Sequence, residues 1–203
     1  MIKQRKSNER NMNEKETNIS SEAVNTGDQL QQQEFDRLLD RAYAAFTPGN
    51  YESVISFSTQ AINDYKSASD LPLDYDLAYY NRGVAYYKIN DIQKAIADFN
   101  DAVKINSSNS KAHWYLGIAY GNTGAYEESI RSFNTAIGLD TDNPVLYFNR
   151  AYYYDVTGKK QEALFDYNKA IQIDDKYADA YYNRGLIYHT WGRYSEPIAD
   201  YSK

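Results

Sequence analysis

Apolar residues in this chain recur at three- and four-residue intervals, and that helical rhythm itself repeats every 34 residues, as the slot Gly83, Gly117, Ala151 and Gly185 shows. Helical spacing starts at Phe35 and runs through Leu38, Leu39, Ala42, Tyr43 and Phe46. Thr47-Pro48-Gly49-Asn50 then breaks it, since proline has no N–H to donate and glycine favours a turn. A second helix is expected from Tyr51 to about Tyr65, carrying Val54, Ile55, Phe57, Ala61 and Ile62. Residues 34–65 therefore read as a first, irregular helix pair, and 66–75, with Leu71-Pro72, as a connector. From Asp76 the register is regular, with helix pairs expected at 76–109, 110–143, 144–177 and 178–203, the last unfinished. Turns inside the pairs fall at Asn90-Asp91, Thr123-Gly124, Thr157-Gly158 and Trp191-Gly192. Asn or Gly suits the left-handed residue that ends a helix.

The pattern implies an all-α, right-handed solenoid of antiparallel helix pairs. Each pair leaves an apolar face that only a neighbouring pair can cover, so stacking builds one continuous core. Such an array presents a long surface and builds no buried catalytic cleft. Residues 1–33 are rich in Asn, Glu, Lys, Ser and Gln and nearly lack aromatic residues, so they are expected to form a disordered polar tail.

Composition narrows the function. The net charge of −6 and pI near 5.0 disfavour nucleic acid and anionic membranes, which reward clustered Lys and Arg. With no cysteine, disulfides and thiol catalysis are excluded. No signal peptide or membrane-length apolar run is visible, and a cytoplasmic location is expected. Catalytic motifs are weak. His113 stands in a core aromatic slot, and His189 has no second His at metal spacing. Asp140-Thr-Asp142-Asn143 opens like a calcium loop, but Ala151 stands where the closing Glu would be. No enzyme activity, metal or cofactor is expected.

The 22 tyrosines fall on the period. The second pair reads Tyr79, Arg82-Gly83, Tyr86, Ala95, Phe99, Ala102; the third His113, Leu116-Gly117, Tyr120, Ser129, Phe133, Ala136. The fourth reads Tyr147, Arg150-Ala151, Tyr154, Ala163, Tyr167, Ala170, and the fifth Tyr181, Arg184-Gly185, Tyr188, Pro197, Tyr201. This spacing resembles the tetratricopeptide repeat, over about 35–203 and most strongly over 76–196. Small residues suit the closest approach of paired helices, and aromatics fill the gaps beside them. The sequence departs from the family where Ser107, Thr141 and Asp175 replace its usual proline, so helix ends must rest on Asn106-Ser-Ser-Asn109 and Asp140-Thr-Asp-Asn143. The chain ends inside its last helix with no polar cap, which suggests a fragment or an end covered by a partner.

Arg82, Arg150 and Arg184 are each followed sixteen residues later by Asp98, Asp166 and Asp200, whereas the third pair carries Leu116 and Ser132 there. An Arg–Asp pair between the two helices of each unit is expected. Arg41 does not conform, because its counterpart is Phe57. The resemblance implies a concave groove lined by first helices, in which a partner peptide lies. It places Tyr80, Asn81, Lys111, Trp114, Tyr115, Phe148, Asn149, Tyr182 and Asn183 there. Asn81, Asn149 and Asn183 share one slot, which Tyr115 takes in the third pair; amides so placed can grip a peptide backbone. The carboxylate clamp of chaperone adaptors is not expected, since its slots hold Leu39, Tyr43, Asn81, Lys111 and Tyr115. A protein-interaction scaffold is the expected function. The alternatives are a module that self-associates through its C-terminal unit and the regulatory arm of a longer enzyme.

Overall fold

The computed structural model describes residues 29–65 and 72–192. The expected tail over 1–28, the connector over 66–71 and the last helix beyond 192 lie outside these residues. Among the described residues all regular structure is helical. They fall into two compact units, divided between Tyr75 and Asp76.

In the first unit, α1 covers 29–44 and α2 covers Tyr51–Tyr65. Residues 29–33 are thus helical, although their glutamines around a single apolar residue, Leu30, made them read as the end of the tail. A polar turn still folds when its side chains find partners. The Gln32 side-chain amide donates to Asp36 at 2.7 Å, and its oxygen accepts the Leu73 N–H at 2.9 Å. Phe35 stands edge-on to Tyr65 at 5.4 Å, and the Tyr75 hydroxyl donates to the Ile62 carbonyl at 2.9 Å. The Arg41 guanidinium lies 4.1 Å from the centre of the Phe57 ring, a cation–π contact in place of an ion pair.

In the second unit, first helices alternate with second helices. The pairs are α3 (Tyr75–Lys88) with α4 (Ile92–Ile105), α5 (Ser110–Asn122) with α6 (Tyr126–Leu139), and α7 (Pro144–Val156) with α8 (Lys160–Ile173); α9 (Ala178–Thr190) follows. Each helix from α4 to α9 packs on the next in sequence, so the pairs stack as a solenoid. Asn90, Gly124, Gly158 and Gly192 take positive φ between 66° and 81° at the turns inside the pairs, a conformation Gly and Asn tolerate best.

The polar runs between pairs end one helix and start the next. The Asn106 N–H closes α4 on the Ala102 carbonyl, and its side-chain oxygen takes the Ser108 N–H at 3.1 Å. Asn109 then caps α5 by accepting from Ala112 N–H at 2.9 Å. Asn143 does the same for α7 through Val145 N–H, with Pro144 in the first turn, where its missing N–H costs nothing. Buried Asp76 is held by the side-chain amides of Asn109 at 2.7 Å and Asn106 at 3.3 Å.

The closest helix approaches are at glycines. A Cβ on Gly83 would come within 2.8 Å of Phe99, and one on Gly117 within 2.7 Å of Phe133. Phe99, Phe133 and Tyr167 occupy one recurring slot and are almost wholly buried.

Candidate partner-binding face

Two kinds of residue recur on the solenoid: arginines clamped between helices, and aromatic and amide side chains on the first helices. Arg82 forms a two-pronged pair with Asp98, Nε to one oxygen at 2.8 Å and Nη2 to the other at 2.7 Å. Arg150 holds Asp166 in the same way, both bonds at 2.7 Å. Each guanidinium also lies over an aromatic ring, Arg82 over Tyr79 at 5.6 Å and Arg150 over Tyr147 at 5.8 Å and Tyr154 at 5.7 Å. Burial pushes the Asp98 and Asp166 carboxyls upward, and the paired arginines pull them part of the way back. Burial works the other way on Arg82 and Arg150, but the bonds to aspartate outweigh it and hold both firmly charged. Arg184 sits 5.2 Å over Tyr181, and its sequence partner Asp200 lies outside the described residues.

The clamp has a third jaw. Arg150 Nη1 donates to Asn134 of the preceding pair at 2.6 Å, and Arg184 Nη1 donates to Asn168 at 2.6 Å. Each arginine therefore ties its own unit to the one before. The sequence carries the signal, an Asn sixteen residues ahead of each of these arginines, beside the Arg-to-Asp spacing.

The expected groove residues divide into a packed group and an open group. Tyr115 stacks on Phe99 at 5.3 Å and meets Trp114 at 4.9 Å, Tyr87 at 5.8 Å and Tyr80 at 5.9 Å. Burial pushes the Tyr80 and Tyr115 phenols upward. Phe148 rests on Tyr177 at 5.0 Å and Tyr167 at 5.8 Å. The Trp114 indole N–H is buried with no hydrogen-bond partner. Lys111 is exposed, Tyr182 is 54% exposed, and Asn81 and Asn183 are half-buried. The Asn149 amide donates to the Val145 carbonyl of its own helix at 2.7 Å, which occupies one of its donors. Beside them on the same helices, Tyr152 is 49% and Leu186 41% exposed. Among the described residues, no three His, Cys, Asp or Glu side chains gather as a metal site would require.

Three family profiles match the chain over much of this unit: "Tetratricopeptide repeat" at 77–109 and again at 110–143, and "TPR repeat" at 157–192. The chain belongs to the tetratricopeptide repeat family. No curated protein matches its sequence. Among solved structures it is similar to one described as the crystal structure of MamA protein, at 21% identity and TM-score 0.72, covering 83% of this chain and 88% of that one. MamA from Desulfovibrio magneticus RS-1 gives 13% identity and TM-score 0.71, with 85% and 92% covered. YrrB, described as a TPR protein with an unusual peptide-binding site, gives 20% identity and TM-score 0.67, with 80% of each chain covered. At these identities the likeness is one of fold.

Among the described helices of this repeat protein, none is long and apolar enough to cross a membrane. One aromatic contact between repeats was not anticipated. Tyr153 of α7 is buried, lies 5.8 Å from Phe133 and presses its ring against Gly121 of α5. Its slot holds Ala85, Ala119 and Ile187 in the other pairs, so the period alone gave no hint of a large ring there.

Burial also sets an alkaline limit on the fold. It pushes the Tyr153 and Tyr177 phenols up to about 12 from an ordinary 10.0, with help from neighbouring tyrosines and aspartates respectively. A phenol raised in the folded state favours folding fully below its unfolded pKa and loses that contribution as pH climbs to the folded value. Stability is therefore expected to fall between pH 10 and 12. Urea unfolding across that range should show a smaller drop for Tyr153→Phe, which has no proton to lose.

Proposed function

We propose that the first-helix face of α3, α5, α7 and α9 is a groove that takes an extended peptide or a partner helix, making the chain a non-catalytic interaction scaffold. The observation that carries this reading is the row of large side chains left open on consecutive first helices, Tyr152, Tyr182 and Leu186. Solvated proteins seldom leave tyrosine and leucine aligned without use, and aromatic anchors dominate binding energy at interfaces. Asn81, Asn149 and Asn183 stand among them at 34-residue spacing, with amide groups suited to peptide backbone. Lys111, Trp114 and Tyr115 replace the amide pattern in the third pair and set its preference. The rigid stack of Tyr115, Phe99 and Tyr80 beneath supplies a platform ordered in advance, which lowers the entropy cost of binding.

The test is selection of binders from a random peptide library against the full chain. Selected peptides should lose about tenfold or more in affinity on Tyr152→Ala/Tyr182→Ala, an effect of about 1.4 kcal/mol or above. Replacing Asn81, Asn149 and Asn183 together by Ala should weaken them too. Phe165→Ala, on the second helix α8, should leave binding unchanged. Peptides indifferent to all the first-helix variants would overturn the groove.

A further inference from the structure

The third helix pair lacks the arginine clamp, and an open cleft of about 310 Å³ stands between α4, α5 and α6. Its lining includes Leu116 and Ser132, the residues that replace the Arg and the Asp of the other pairs. It also includes Asn100, the counterpart of Asn134 and Asn168, which elsewhere receive the arginine. His113 and Tyr120 stand where Tyr147 and Tyr154 flank the Arg150 guanidinium. The cleft thus retains the jaws of an arginine site without the arginine.

Hydrogen bonding shows what chemistry the cleft offers. The Ser132 hydroxyl donates to the Glu128 carbonyl at 2.9 Å, and the Thr135 hydroxyl to the Arg131 carbonyl at 3.3 Å. The Asn100 amide donates to the Tyr120 hydroxyl at 3.2 Å. His113 Nε2 meets the Ser107 carbonyl at 3.1 Å, and burial lowers its basicity, so the ring is neutral with its N–H turned away. The Ser132 and Thr135 hydroxyls, the His113 ring N–H and one Asn100 N–H are spent on the protein's own oxygens. What remains is richer in acceptors than in donors: the Asn100 side-chain oxygen, the hydroxyl lone pairs, the Glu128 carboxylate and the Tyr120 ring, beside the Tyr120 O–H and the second Asn100 N–H. Arg131 reaches the rim, but it is 65% exposed and held by Glu128 at 2.8 Å. An anion would find few donors here. A planar group with five donors and no acceptor matches the set.

We propose that this cleft is a socket for an arginine side chain supplied by a partner polypeptide. It lies apart from the first-helix groove, and its occupancy does not depend on that groove being used. The chain's overall charge of −6 favours approach of a basic segment.

The test titrates the isotope-labelled full chain with N-acetyl-arginine amide, and separately with the lysine and citrulline amides, while amide NMR shifts are followed. The arginine probe should bind weakly, with a Kd of about 1 mM, and its shifts should centre on Asn100, Leu116, Tyr120 and Ser132. Lysine should bind at least roughly threefold more weakly, and neutral citrulline more weakly still. Leu116→Arg/Ser132→Asp gives this unit the clamp of its neighbours, and should abolish the response while retaining the helical spectrum. Asn100→Ala, at an exposed position, should weaken it about threefold or more. Equal responses to arginine and citrulline would overturn the proposal. So would an arginine response that survives Asn100→Ala unchanged.

Discussion

Arg150→Ala is expected to cost about 3–5 kcal/mol of folding stability, because it leaves Asp166 charged and buried without its partner. The Asp166 side chain is 1% exposed and the Arg150 side chain 16%, so the pair sits largely out of water. Asp166→Ala should cost a similar amount by stranding the guanidinium. The molecule carries its own control in the third pair, where Leu116 and Ser132 fill the same two slots without charge. Arg150→Leu/Asp166→Ser copies that solution and should cost less than either single change, since both charges leave together. Urea unfolding followed by circular dichroism gives all three values. Additive losses would show that the two groups act independently.

The second large effect is expected at Gly121, where any Cβ would run into the Tyr153 ring. Alanine ordinarily stabilises a helix by up to about 1 kcal/mol relative to glycine. Here Gly121→Ala should instead destabilise by about 1–3 kcal/mol, because the buried ring must leave its site. In the Tyr153→Ala background the obstacle is gone, and Gly121→Ala should turn neutral or stabilising. This reversal of sign, read by thermal unfolding, would identify the contact as the cause. The pairing is specific to one junction: the Gly121 slot holds Tyr87 and Asp155 in the flanking pairs, and the Tyr153 slot holds Ala119 and Ile187. Large meets small in a fixed order, which helps to determine which unit stacks on which.

The helices and turns were legible because each unit repeats the same solution to burial, so small and aromatic residues recur every 34 positions. Asn109 and Asn143 could be read as helix boundaries because the polar runs there had no other use. Residues 29–33 read as tail because their one apolar residue, Leu30, is exposed and the turn is held through polar Gln32. Contacts between repeats were harder still. Tyr153 against Gly121 and Arg150 against Asn134 join residues whose pairing depends on how far one unit turns on the next. Periodicity locates a slot but not the neighbour it faces. The face proposed for binding was readable as a set of positions, whereas its division into a packed platform of Tyr80, Phe99 and Tyr115 and open side chains at Tyr152 and Tyr182 needed coordinates.

In the third pair the amide row, the arginine clamp and its aspartate are all interrupted. The interruptions lie on the first-helix side at Lys111, Trp114 and Tyr115, and on the other at Leu116 and Ser132.

Photo-crosslinking of a selected peptide tests the binding face most directly, with benzoylphenylalanine placed in turn at positions 152, 182 and 165 of the full chain. Efficient crosslinks are expected from 152 and 182, on α7 and α9, and none above background from 165 on α8. Crosslinks from 165 alone would contradict the first-helix groove.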